Sequence, residues 1–88
     1  MSWVYSFDPR ALKKFRKLDQ QTQKKIIDYL DNRILRNADP RCLGKELRGK
    51  LSGFWRYRVG DYRIVCEILD HELLILIVTV GHRKDVYN

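Results

Sequence analysis

Hydrophobic and polar positions alternate at the start of the chain, where aromatic side chains occupy every second position at Trp3, Tyr5 and Phe7. A period of two residues predicts a short β-strand. Asp8 and Pro9 follow directly. Asp is favoured as the residue that caps a helix and Pro as its first residue, so we expect the strand to give way to a helix here.

The next part of the chain has apolar residues at helical spacing. Leu12, Phe15 and Leu18 form one stripe among basic residues, as expected for an amphipathic helix. A second stripe predicts another helix from about residue 20 to residue 36. Asp19 can end the first helix and cap the second, so the two helices should form a hairpin. The second stripe consists of Ile26, Ile27, Leu30 and Ile34.

The C-terminal half is rich in β-branched and aromatic residues, after a predicted loop over residues 37–49. Residues 54–59 and 62–69 predict two strands, and the Gly60-Asp61 pair between them is typical of a two-residue hairpin turn. Residues 73–80 are nearly all apolar, which predicts a strand at the sheet centre or covered on both faces.

These elements give the order β-α-α-β-β-β. We expect an α+β fold with an N-terminal strand and an α-helical hairpin packed on one face of a small, mostly antiparallel sheet. The chain has 88 residues and contains no repeat or linker-like segment, so we interpret residues 1–88 as one domain.

The predicted hairpin brings basic side chains together on one face of the sheet. A two-residue turn places Arg58 directly opposite Arg63, with Arg56 as a diagonal neighbour, and puts the apolar side chains on the other face. Like charges in paired positions are destabilising, whereas guanidinium groups bind phosphate well. We therefore predict that three arginines on an open sheet face form an anion site. The alternative is that these side chains bind no ligand and extend into solvent, with Glu67 offsetting their repulsion.

Charge and composition narrow the function classes. The chain has 18 Lys plus Arg and 11 Asp plus Glu, a net charge of +7, with excesses of basic residues over residues 10–36 and 45–63. Such regions favour a polyanionic partner, with nucleic acid the first candidate, or simply a solvated surface. Cys42 and Cys66 make neither a metal-ligand cluster nor a disulfide framework, so we expect no metal and no cofactor.

The chain lacks the pattern of an export signal or a membrane span. Its first residues have no charged and apolar regions of the signal-peptide kind. Its longest apolar run, over residues 73–80, is far shorter than the roughly 20 residues that cross a bilayer. We therefore expect a cytoplasmic protein without a membrane partner.

Several segments together resemble the RelE branch of the RelE/ParE toxin superfamily. They are residues 5–18, Leu47-Arg48-Gly49, residues 54–65 and residues 80–87, which cover nearly the whole chain in order. The resemblance implies the helical-hairpin-on-sheet fold and a toxin of a type II toxin–antitoxin pair. RelE-type members enter the ribosomal A site and cut messenger RNA there without a metal. A cognate antitoxin blocks the toxin, and the complex commonly represses its own operon by binding operator DNA.

The resemblance also implies which residues do the chemistry. The 2′-hydroxyl of a ribose attacks the adjacent phosphate and gives a 2′,3′-cyclic phosphate, which requires charge stabilisation and proton transfer. Lys45, Arg48 and Lys50 are candidates for RNA binding. The residues that match the family's catalytic positions are Arg56, Arg58, Arg63, Arg83 and Tyr87.

The chain departs from the family at two of these positions. The best-known RelE proteins have lysines where this chain has Arg56 and Arg58, and an arginine essentially never releases its proton. The general base is therefore open between Tyr87 and His82, a candidate acid or base with a suitable reference pKa of about 6.5. A histidine at such a position is more often a structural turn residue.

Two other functions fit the same residues less well. A ParE-like toxin that inhibits DNA gyrase would share the fold, because fold does not fix function. Such members usually lack the arginine and tyrosine near the C-terminus, so Arg83 and Tyr87 favour the ribonuclease. A catalytically weakened relative that only binds RNA is the third hypothesis, since arginines at both strand positions provide charge without a titratable base.

Overall fold

In the part of the chain that the structure describes, five strands form one mixed sheet in the order β1-β5-β4-β3-β2, with the helices packed against it. The computed structural model describes residues 2–86, with the surroundings of side chains described for residues 2–84. The predicted α+β class is confirmed. The main elements are β1 (Val4–Phe7), α1 (Pro9–Arg16), α2 (Gln20–Tyr29), β2 (Lys45–Glu46), β3 (Trp55–Val59), β4 (Tyr62–Leu69), β5 (Leu74–His82) and α3 (Arg83–Val86).

Both helices of the hairpin begin at the predicted caps. The carboxylate of Asp8 accepts a hydrogen bond from the Arg10 backbone N–H at 2.8 Å, and that of Asp19 accepts one from Thr22 at 3.2 Å. The second helix was predicted to reach residue 36. Its α-helical part ends at Tyr29 and a π-helical turn, Leu30–Ile34, continues it. This turn keeps Leu30 and Ile34 on the buried side.

The β3–β4 hairpin has the predicted register. Val59 pairs with Tyr62 and Arg58 with Arg63 across the turn. Gly60 has a φ of +59°, the conformation that the first position of this kind of tight turn requires. β5 pairs antiparallel with β4 and parallel with β1, so the sheet is mostly antiparallel as predicted.

One strand was missed, because residues 37–49 were predicted to be loop. Lys45 and Glu46 form β2, which pairs antiparallel with β3 at the sheet edge, Lys45 lying opposite Arg56. Two residues are too few to show a period in the sequence. The pairing therefore comes from the position of β3 rather than from any local preference.

The core lies between the helices and the inner face of the sheet. Tyr57 is fully buried there, and its hydroxyl donates a hydrogen bond to the Pro40 carbonyl at 2.5 Å. A Cβ atom on Gly44 would lie 3.1 Å from the Tyr57 ring, so the chain passes this ring most easily with glycine. The rest of the core consists mainly of Ala11, Phe15, Ile26, Leu30, Ile34, Ile64, Cys66, Ile68, Ile75, Ile77 and Val80.

An ion pair fixes the segment that leads into β2. The Arg41 guanidinium donates two hydrogen bonds to the Asp70 carboxylate, at 2.6 and 3.0 Å, and lies 5.6 Å from the centre of the Trp55 ring. The hydrogen bonds from Arg41 hold the pKa of the Asp70 carboxyl below its usual range. This contact connects the loop before β2 with the turn between β4 and β5.

Within residues 2–86, no helix combines the length and apolar character needed to cross a membrane.

We predict that Tyr57→Phe lowers the free energy of unfolding by about 1–3 kcal/mol, because the buried Pro40 carbonyl then loses the hydroxyl that donates a hydrogen bond to it. The ring and its packing are retained, so the change reports the hydroxyl. Urea unfolding followed by circular dichroism measures it. Equal midpoints for the two proteins would show that the hydrogen bond contributes nothing.

The two cysteines should differ in reactivity. Burial raises the pKa of the Cys66 thiol to about 12, whereas Cys42 is exposed. The thiolate is the reactive form, so an aromatic disulfide reagent at pH 8 should modify one thiol of the native protein quickly and the second only after denaturation. Two thiols reacting at one rate in the native protein would contradict the buried position of Cys66.

Candidate functional site

Basic side chains from three neighbouring strands meet on the sheet face opposite the core. Lys45 of β2 pairs with Arg56 of β3, and two residues further along β3 Arg58 pairs with Arg63 of β4. Paired residues project on the same side of a sheet, and so do residues two apart on one strand. These four residues, Lys45, Arg56, Arg58 and Arg63, are called the cationic face below.

Three members of the cationic face form a recess. Lys45, Arg56 and Arg58, together with Leu43, line a cleft of about 200 Å³. Cations from two strands surround it, and Leu43 supplies an apolar wall. Guanidinium groups donate hydrogen bonds in a planar fork that matches phosphate, and an ammonium group adds a compact positive charge. The cleft therefore suits an anionic ligand that also has an apolar or sugar-like part.

The sequence suggested that this face is open along its whole width, but the structure shows that part of it is covered. Arg58 is exposed, but Arg63 is only 7% exposed, and one of its guanidinium nitrogens donates to the Tyr62 carbonyl at 3.3 Å. Val65, on the same face, is 1% exposed. β4 is an inner strand with β3 and β5 on its two sides, so its side chains have covered flanks. The exposed cations of this face are therefore Arg58 of β3 and Lys45 of β2.

Arg83 lies at the end of the sheet that carries the Arg58–Arg63 pair. Its backbone N–H donates to the Asp61 carbonyl in the hairpin turn at 2.8 Å, and two residues earlier Gly81 pairs with Arg63. The Arg83 side chain is exposed at the start of α3. Tyr87, predicted to share this site, lies outside the described residues.

His82 is directed to the other side of the sheet. It pairs with Tyr62, whose ring centre is 5.6 Å from that of the imidazole, and both line a cleft with Lys14 of α1 and with Lys17, which follows that helix. The imidazole Nδ1 accepts a hydrogen bond from the Lys84 backbone N–H at 3.2 Å. This local hydrogen bond is typical of a side chain that stabilises a turn. The structure does not bring His82 to the cationic face.

The three predicted RNA-binding residues separate in the structure. Lys45 belongs to the cationic face, whereas Arg48 and Lys50 are exposed in the segment that links β2 to β3, around a 3-10 turn at Gly49–Leu51. Sequence reasoning placed Lys45 in a loop, so its position beside Arg56 was missed. The described residues contain no group of three or more His, Cys, Asp or Glu side chains arranged to hold a metal ion.

Comparisons with known proteins agree on one family. Residues 5–87 match the family described as "ParE toxin of type II toxin-antitoxin system, parDE". The chain is 30% identical to the mRNA interferase toxin RelE of Escherichia coli K12 over 95 residues, which cover 100% of this chain and 93% of that protein. It is 29% identical to the toxin RelG of Mycobacterium tuberculosis, with 99% and 98% covered.

Solved structures show the same fold. The crystal structure of the toxin–antitoxin complex RelBE2 from Mycobacterium tuberculosis contains a chain that superposes with a TM-score of 0.84. The two chains are 27% identical, and the match covers 96% of this chain and 94% of that one.

Repulsion within the cationic face should be measurable. We predict that Arg58→Gln raises the free energy of unfolding by roughly 0.2–1 kcal/mol at low salt, because Arg58 directly faces Arg63. The gain should shrink at high salt, where exposed charges are screened. Urea unfolding at two ionic strengths provides the measurement.

The matched control is Arg16→Gln in the last turn of α1. A cation there interacts favourably with the helix C-terminus, so its removal should lower stability slightly. If Arg58→Gln destabilised the fold as Arg16→Gln does, repulsion between Arg58 and Arg63 would be refuted.

Proposed function

The chain belongs to the RelE/ParE superfamily of toxins of type II toxin–antitoxin systems, and on this premise we propose that it is a ribosome-dependent endoribonuclease. It would cleave messenger RNA in the ribosomal A site without a metal ion and so inhibit translation. The observation that carries the proposal is the cationic face, whose charges come from three strands and two of whose strands line a cleft of about 200 Å³.

The proposed reaction starts with attack of a ribose 2′-hydroxyl on the adjacent phosphorus. Negative charge builds up on the phosphoryl oxygens, and fixed cations stabilise it most when they are already in place. Arg56 and Arg58 line the cleft and would contact these oxygens. Arg63 is held by burial and would add a fixed charge behind them. The bond to the 5′-oxygen then breaks, which gives a 2′,3′-cyclic phosphate and a 5′-hydroxyl.

Arg83 and Tyr87 complete the proposed group. The Arg83 backbone is hydrogen-bonded to the hairpin turn and its side chain is exposed, and we assign this side chain to the same phosphate as Arg58. We assign Tyr87 to stacking on a base or to proton transfer, following the family resemblance. The ribosome would orient the message for in-line attack, which lowers the demand on any single catalytic group.

The proposed partners follow from the charge of the site and from the relatives. A solved relative is bound to its antitoxin, and we propose a cognate antitoxin for this chain that covers the cationic face. Val4 is the one large apolar side chain with high exposure among the described residues, so charge rather than an apolar stripe would guide that contact. Operator DNA would be bound through the complex, and the site of action would be the cytoplasm.

Gyrase inhibition is the second candidate, because the matched family description names ParE. Inhibition of gyrase does not require the toxin to have a site that binds a phosphate for cleavage. The arginines of β3 and β4 and the cleft beside them favour RNA cleavage instead. The two functions are separable by assaying cleavage of ribosome-bound message and supercoiling of a plasmid by gyrase with the same protein.

We predict that Arg83→Ala lowers the rate of A-site cleavage by about 10²–10³-fold, the range found when one donor to a developing anion is removed. Primer extension on messenger RNA bound to purified ribosomes measures this rate. Arg83 is exposed, so thermal unfolding should be unchanged.

The control is Arg36→Ala, which removes an exposed cation from the segment after the π-helical turn and should cleave as the parent does. Full activity of Arg83→Ala would show that Arg83 is not part of the site. Absence of cleavage by the parent protein together with loss of gyrase supercoiling would establish the second candidate. Ribosome binding without either activity would identify a weakened relative.

A further inference from the structure

The proposed cleavage needs a proton that the arginines cannot give. When the bond between phosphorus and the 5′-oxygen breaks, that oxygen leaves as a strongly basic alkoxide unless a proton reaches it. Arginine is effectively always protonated and is not a proton donor in proteins, so Arg56, Arg58 and Arg63 can stabilise charge but cannot supply this proton. His82 is on the opposite side of the sheet, in contact with Tyr62.

The cationic face contains one side chain of a different kind. Lys45 carries an ammonium group, which has three N–H donors and can transfer one of its protons. It is the residue that the sequence placed in a loop and that β2 places directly opposite Arg56. Side chains in such a pair have Cβ atoms about 4.5–5.5 Å apart, and the diagonal neighbour is also within reach of a long side chain.

The surroundings of Lys45 leave its ammonium available to a substrate. It lines the cleft with Arg56, Arg58 and Leu43, and its side chain is exposed. Besides Lys45, the charged groups on this face among the described residues are Arg56 and Arg58 on β3 and Arg63 and Glu67 on β4, and β3 separates β4 from β2. A phosphate held by the two β3 arginines would therefore lie next to the lysine.

We infer that Lys45 is the general acid of the proposed reaction, an inference that rests on the proposed ribonuclease function. The 2′-oxygen forms a bond to phosphorus and releases its proton to water. The bond from phosphorus to the 5′-oxygen breaks, and the leaving oxygen takes a proton from the Lys45 ammonium. The neutral amine then regains a proton from water. Charge stabilisation stays with the arginines, and proton donation belongs to the lysine of the neighbouring strand.

A sulfur-substituted message tests this assignment. Lys45→Arg keeps the positive charge but removes the transferable proton, so cleavage of normal messenger RNA should fall by about 10²-fold or more, as expected for loss of an acid–base group. A message with sulfur in place of the 5′-oxygen at the mapped cleavage site has a leaving group that departs without protonation. On this message Lys45→Arg and the parent protein should cleave at the same rate.

The matched control is Lys24→Arg, the same chemical change at an exposed position on α2, which should leave both rates unchanged. If Lys45→Arg cleaved normal messenger RNA at the parent rate, the inference would be wrong while the proposed function stood. Slow cleavage of both messages would also overturn it, because Lys45 would then bind or position the RNA. If the parent protein cleaved neither message, the proposed function itself would fail.

Discussion

The register of the β3–β4 hairpin is the constraint on which the rest of this structure depends. Side chains alternate between the two faces, so a slip of β3 by one residue would move Tyr57 out of the core and turn Arg56 and Arg58 towards it. The tight turn at Gly60, with its positive φ, and the apolar inner face both hold the observed pairing. This pairing places Arg56, Arg58 and Arg63 on the outer face, and the β2–β3 pairing adds Lys45 beside Arg56.

That placement brings like charges together, which lowers the stability of the sheet. Arg58 and Arg63 face each other directly, and Arg56 and Lys45 form the adjacent row. The repulsion is offset by the buried core on the other side, where Tyr57 packs near Gly44 and donates to the Pro40 carbonyl. The core therefore stabilises an arrangement of positive charges that can bind an anion. A stable fold and an anion site come from the two faces of the same strands.

The segment before β3 links stability to the site in a second way. Arg41 connects to Asp70 and lies over the Trp55 ring, which fixes the loop that leads into β2. Trp55 is itself paired with Glu46, next to Lys45. The position of Lys45 in the cleft thus depends on contacts made by residues with no part in the proposed chemistry.

The sequence by itself determined the helical hairpin, both caps, the turn at Gly60 and the pairing of Arg58 with Arg63, because each follows from local spacing and backbone preference. It also identified the family from its ordered motifs. Only the tertiary structure decided that Arg63 is buried, that His82 contacts Tyr62 on the helical side, and that Lys45 lies beside Arg56. These three outcomes depend on neighbouring strands distant in sequence. A strand of two residues has no period of its own, so its place is set by the partner that it pairs with.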